Sequence, residues 1–94
     1  MGEIKTINSK EDGCFFCGSH QALQVHHIFG FYNRTKATED GLCVWLCRKH
    51  HTDPGTGVHY NRELADRLRM IGQQEYEKTH TREEFVQAYG RNYL

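Results

Sequence analysis

No apolar run in this chain is long enough to cross a bilayer. Apolar residues make up 37% of its 94 positions, and before Asn61 they come in short groups. The opening MGEIKTINSK is polar and has no apolar h-region, so no signal peptide is expected and the reading is a cytoplasmic protein. Internal repeats and low-complexity tracts are also missing, which excludes a solenoid. Nor is there a surplus of charge: 12 Lys and Arg balance 12 Asp and Glu. A chain that grips many phosphates usually carries a basic excess, so here any such grip must be local, weak, or supplied by a partner. Finally, a chain this short makes one domain with a marginal hydrophobic core, for which a metal or disulfide staple would matter.

What the chain does have is cysteine and histidine in an unusual arrangement. VHHIFG, from Val25 to Gly30, is followed by LCRKHHTDPGTGVH, from Leu46 to His59. In a reducing compartment Cys14, Cys17, Cys43 and Cys47 are expected to be thiols or metal ligands. Cys14-Phe-Phe-Cys17 is a CxxC that can grip one zinc from a tight turn, with Gly18 helping the chain reverse. A redox CxxC normally opens a helix in a βαβ context, which is missing here. Cys47 and His50 stand three apart, a spacing that on a helix shares a face, and would complete a tetrahedral Cys3His site. Cys47 and His51 share a face equally well, as would Cys43 and Cys47 were that segment helical. His50 is preferred because it leaves His51 for a different ion, and Cys43 is then a small buried hydrophobe in a strand.

The coarse layout is a polar lead over residues 1–13, a Cys/His-rich core over 14–60 and a helical extension over 61–94. LQVHHI and LCVWL read as strands, FGFYNRTKATEDG between them as a loop, and CRKHHT as a short helix stopped by Asp53-Pro54-Gly55. Leu64, Leu68 and Ile71 recur at helical spacing behind Asn61, a suitable N-cap. Thr81 with Glu84 is a capping-box pattern opening a second helix that Gly90 would end. The expected fold is therefore small α+β: a β-hairpin plus a short helix stapled by structural zinc, with C-terminal helices that pack on the core and offer a docking face for a protein partner.

His51 lies roughly 100° around its helix from His50, and would face the strand carrying His26 and His27. In a regular strand those neighbours point to opposite faces, so both serve one site only where the strand ends or bulges. One imidazole could then bind a second divalent metal while the other takes a proton from water, and His59 could return from the PGTG turn as a further ligand. Arg34, Lys36, Arg48 and Lys49 are near enough in sequence to contact flanking phosphates. His20 and His80 have no such company and read as ordinary surface or core histidines.

Taken together, Cys14-x-x-Cys17, VHHIFG, LCVWLCRKHH and GVH resemble the HNH endonuclease superfamily, the ββα-metal nucleases, in its zinc-knuckle branch. The resemblance spans roughly Cys14 to His59. It is nearest to small HNH-like proteins of phages and mobile elements, and more distant from phage recombination-enhancing nucleases. It implies a metal-dependent DNA endonuclease or nickase working with Mg²⁺, Mn²⁺, Ni²⁺ or Zn²⁺. By position, His26 and His51 match its metal ligands, His27 the general base, and His59 loosely a later ligand. Where the family pattern has its middle asparagine, this chain has Asp40-Gly41; Asn33 lies earlier and would substitute only if the loop folded back. That departure and the neutral charge leave a second expectation, a catalytically silent zinc module binding nucleic acid or a protein, and a third, a purely structural phage component.

Overall fold

The computed structural model describes residues 4–94. Of the polar lead, residues 1–3 lie outside that range. The elements in order are β1 (Gln24–His27), α1 (Arg34–Asp40), β2 (Cys43–Leu46), α2 (Arg48–His51), α3 (Arg62–Tyr76) and α4 (Arg82–Tyr89), with turns of 3-10 helix at Lys10–Asp12 and Phe31–Asn33. This is a small α+β fold. Among the described residues, no helix is long and apolar enough to cross a membrane.

β1 and β2 pair antiparallel, with Gln24 opposite Leu46, Val25 opposite Trp45, His26 opposite Val44 and His27 opposite Cys43. Leu42, Val44 and Leu46 are fully buried, so β2 is the floor of the core. The described part of the lead is tied to that floor. Ile7 N–H donates to Cys43 O at 2.8 Å, and Trp45 N–H donates to the Asn8 carboxamide oxygen at 2.8 Å.

The stretch between the strands is not the expected loop. Arg34–Asp40 is helical, and Gly41 closes it in the left-handed conformation (φ 75°), its N–H reaching Ala37 O and Thr38 O. Only Ala37 of this helix is buried. With a single apolar contact there was no periodicity to reveal a helix, and the turn-forming residues around it read as loop. The glycine C-cap was the one available signal.

The C-terminal helices start as their sequences indicate. Asn61 accepts from Leu64 N–H at 3.1 Å at the start of α3. Thr81 Oγ1 accepts from Glu84 N–H at 3.1 Å while Glu84 Oε1 accepts from Thr81 N–H at 2.8 Å, a complete capping box on α4. Both helices fold back onto the end of the hairpin. Phe29 sits in a ring of aromatics, 5.6 Å from Phe85, 4.7 Å from Tyr89 and 5.5 Å from Tyr93 between centroids. Gly72 lets this happen: a Cβ there would stand 3.0 Å from the Phe29 ring. Buried Gln73 ties the tail to α3, its Oε1 accepting from Tyr93 N–H and its Nε2 donating to Asn92 Oδ1, each at 2.7 Å.

Candidate metal centre and histidine cavity

Two groups of metal-ligating side chains form within this fold. In the first, the donor atoms of Cys14, Cys17, Cys47 and His50 all lie within 4.8 Å of one another. Local structure brings them together from two directions. The CxxC turn is closed by Gly18 N–H to Cys14 O at 2.8 Å and Cys14 N–H to Ser19 O at 2.9 Å. Gly13 is required beside it, because its φ is +80° and any Cβ would overlap the carbonyl oxygen of Gly18. On the other side, Cys47 is the N-cap of α2 and not part of the helix. Its carbonyl accepts from the N–H groups of His50 (3.1 Å) and His51 (2.9 Å).

The spacing fits a tetrahedral ion. Bond lengths near 2.3 Å to sulfur and 2.0–2.1 Å to nitrogen put ligand atoms about 3.3–3.8 Å apart along the edges. Cys17 Sγ is 3.7 Å from Cys47 Sγ, and His50 Nδ1 is 3.3 Å from Cys47 Sγ and 3.7 Å from Cys14 Sγ. No sulfur pair is at bonding distance, and all four cysteines are free thiols. Burial opposes ionisation of the Cys14 thiol, but backbone N–H groups of Cys47, Cys17 and Phe16 outweigh it and lower its pKa. The set can hold a metal ion, and its three sulfurs and one imidazole suit zinc. Cys43 stands apart, fully buried in β2, where burial pushes its thiol up to about 11. That thiol stays protonated, as a small hydrophobe in a core.

The second group is His26, His51 and His59, whose ring nitrogens also lie within 4.8 Å of one another. Ring centroids are 5.3 Å apart for His26 and His51, 5.2 Å for His26 and His59, and 4.7 Å for His51 and His59. His51 Nε2 and His59 Nε2 approach to 3.0 Å. The loop after α2 makes this possible through Gly57: a Cβ there would stand 2.7 Å from the carbonyl carbon and oxygen of His51. With Gly57 in place, Val58 N–H reaches His50 O at 2.8 Å and His59 returns over His51.

Gln24 is a member of this group that sequence reasoning missed. Strand period two puts Gln24 on the same face as His26, and its Oε1 accepts from His51 Nδ1–H at 2.7 Å. That bond fixes the tautomer and leaves the His51 Nε2 lone pair directed at the other imidazoles. Burial first, and then the neighbouring imidazoles His51 and His59, drive the pKa of His26 down to about 3. His51 is lowered by the same two effects, burial before the charge of His59. At neutral pH His26 and His51 therefore offer lone pairs, not protons.

His27 ends β1 and lines the same cavity, of about 490 Å³, together with His26, His51, His59, Arg34 and Phe31. Its pKa is lowered by partial burial and then by the Arg34 charge, which keeps it unprotonated at pH 7. It is not among the three converging histidines.

The expected phosphate contacts are dispersed. Arg34 lines the cavity. Lys36 is turned away to α4, its Nζ donating to Ala88 O at 2.6 Å and lying 5.7 Å from the Tyr89 ring centroid. Arg48 faces Asp53 at 3.9 Å, and Lys49 is exposed. Asn33 is also spoken for: its Nδ2 donates to Tyr89 O at 3.4 Å, so it does not fold back toward the histidines. Asp40 accepts from the Tyr89 hydroxyl at 2.7 Å. The strand end carrying His27 is instead held by pairing with Cys43 and by Ile28 N–H donating to Leu42 O at 3.1 Å. Compared with family models, with curated proteins and with solved structures, the chain matches none.

Proposed function

We propose that this protein is a metal-dependent phosphodiester hydrolase acting on DNA, a nuclease or nickase of HNH type on a zinc-stapled ββα-metal framework. The observation that carries the reading is the histidine cavity: three imidazoles converge within 4.8 Å, and a fourth, His27, lines the same space without joining them. Ligand and base are thereby separate side chains, which hydrolysis requires. His26, His51 and His59 would hold a divalent ion, with nitrogen donors favouring zinc or nickel over magnesium or manganese. Such an ion supplies charge stabilisation at the scissile phosphate and its leaving oxygen.

The protein's own residues do the rest. His27, neutral at pH 7, accepts the proton of the attacking water. Arg34 neutralises a non-bridging phosphate oxygen and holds the strand in the cavity. Gln24 orients His51 through its Nδ1–H, so Gln24→Ala should weaken divalent-ion binding at the histidines about 10–100-fold while the Cys3His metal stays bound. Titration of a competing metal indicator reads this directly, and unchanged affinity would remove Gln24 from the site.

Plasmid nicking with added Mg²⁺, Mn²⁺, Ni²⁺ or Zn²⁺ tests the activity, with His27→Ala as the comparison. Loss of general-base catalysis is expected to slow cutting by about 10²–10⁴-fold, with folding and knuckle metal content preserved. Equal rates in both proteins would sink the assignment of His27. If both are inert, the neutral charge and the missing asparagine favour a silent zinc module that binds nucleic acid or a protein partner.

A further inference from the structure

A second depression adjoins the histidine cavity. It encloses about 550 Å³ between the His59 loop, α3 and the C-terminal tail, and its walls include Tyr60, Arg62, Arg69, Arg91 and Tyr93. His59 lines both depressions, so they meet at the proposed metal site. Two of these guanidinium groups share one carboxylate: Asp66 is 2.7 Å from Arg69 Nη1 and 3.7 Å from Arg62 Nε. Arg91 makes no ion pair among the described residues and lies 4.8 Å from the Tyr93 ring centroid. The trough carries an uncompensated positive charge in a protein whose overall charge is zero.

The histidine cavity has a different rim. Phe31 lines it and Tyr32 follows in the chain, and both are fully solvent-exposed, at 98% and 101% of their maximum. Phe31 also holds a positive φ of 52°, a conformation that a bulky side chain adopts only under strain. Neither ring packs in the core, so their hydrophobic surface stabilises nothing within the fold. Strain and exposure at one point beside a candidate site are features of a surface that meets a ligand.

We infer that the substrate is a DNA segment with unpaired bases, its phosphates lying in the Arg62–Arg69–Arg91 trough and its bases stacking on Phe31 and Tyr32 where it crosses the histidines. This rests on the nuclease reading and specifies its substrate. The chemistry favours a single strand over a duplex for two reasons. Bases in a duplex already have both faces stacked, whereas unpaired bases gain from an exposed aromatic whatever their identity. A neutral protein also lacks the charge surplus that gripping two phosphate backbones demands, and stacking supplies affinity that needs no net charge.

Fluorescence anisotropy with a labelled mixed-sequence DNA of about 20 nucleotides, single-stranded or annealed, tests this without added divalent metal. The wild type should bind the single strand at least about tenfold more tightly than the duplex. Phe31→Ala/Tyr32→Ala should lose about tenfold or more of the single-strand affinity with its salt dependence unchanged. Arg91→Ala should instead lower the slope of log affinity against log salt by about 0.7, one phosphate contact on a single strand. All three positions are exposed, and knuckle metal content with circular dichroism establishes that the variants fold. Equal affinity for strand and duplex overturns the inference, as does an unaffected double aromatic variant or a chain that binds no DNA and self-associates through these rings. The two readings fail separately: a protein that prefers single strands but never cuts sinks the nuclease alone. One that nicks plasmids yet binds the duplex equally well sinks only the substrate assignment.

Discussion

Cys17→Ser is expected to leave a chain that no longer folds at 25 °C, although the side chain lost is a solvent-exposed one. Exposure makes this substitution informative, because it removes almost no packing. What it removes is one of four side chains whose donor atoms are spaced as a tetrahedral metal ion would need. A structural zinc of this kind contributes about 10–16 kcal/mol of apparent binding free energy, against a total stability of about 5–15 kcal/mol for a typical domain. The fold gives that figure a specific meaning here. The Cys14–Cys17 turn comes from the N-terminal segment and the Cys47–His50 pair from the start of α2, and the packing that otherwise joins them is small, with Phe16 against the His50 ring at 5.6 Å and Asn8 bridging Gly13 and Trp45. Cys43→Ala is the control: it deletes a fully buried thiol that stands apart from the four-residue cluster, and should cost about 1–2 kcal/mol with metal content the same as in the wild type. Circular dichroism with and without a strong chelator, together with metal analysis, separates the two. A Cys17→Ser protein that folds with unchanged thermal stability would remove the zinc staple from the account.

The parts of the fold that were legible in the sequence are those where a single side-chain chemistry dictates the backbone. Caps are the clearest case: Asn61, Thr81 with Glu84, and Gly90 each act where their donor, acceptor or glycine character indicates. The Cys3His set was legible for a related reason, since each half is a pair of ligating side chains three residues apart, Cys14 with Cys17 and Cys47 with His50. His50 and His51 share a short helix, yet Cys47 lies outside it as the cap, so the three-residue spacing works by a route other than a shared helical face. Helix α1 was hidden because one buried alanine leaves no pattern. Gln24 was hidden because a glutamine in a strand carries no signal until the structure shows an imidazole 2.7 Å away. Gly57 was equally silent, since its role is to avoid the backbone of a residue six positions earlier. The surface charges were the least legible. Sequence proximity suggested Lys36, which the fold commits to α4, and gave no hint that Arg62, Arg69 and Arg91 share a trough.

Acid should destabilise the protein through the histidine cluster, and the direction follows from one depressed pKa. His26 titrates near 3 in the folded chain, against about 6.5 in the unfolded one. The native state therefore binds fewer protons than the unfolded state between those values. The corresponding stability is fully present above about pH 6.5 and is lost as pH falls from there toward 3. At pH 5, with no divalent ion added, His26 alone accounts for a loss of about 2 kcal/mol, which in a domain of this size lowers the melting temperature by about 8–16 °C. The downward shift of His51 acts in the same direction. The knuckle also takes up protons on acidification, so a bare pH profile would mix the two sites. Comparing the wild type with His26→Leu at pH 7 and pH 5 separates them, because the knuckle is common to both. The variant should gain on the wild type by about 2 kcal/mol as the pH drops. A gap between them that is the same at both pH values would mean that His26 carries its proton as an ordinary surface histidine does, and that the three imidazoles are not held together in solution.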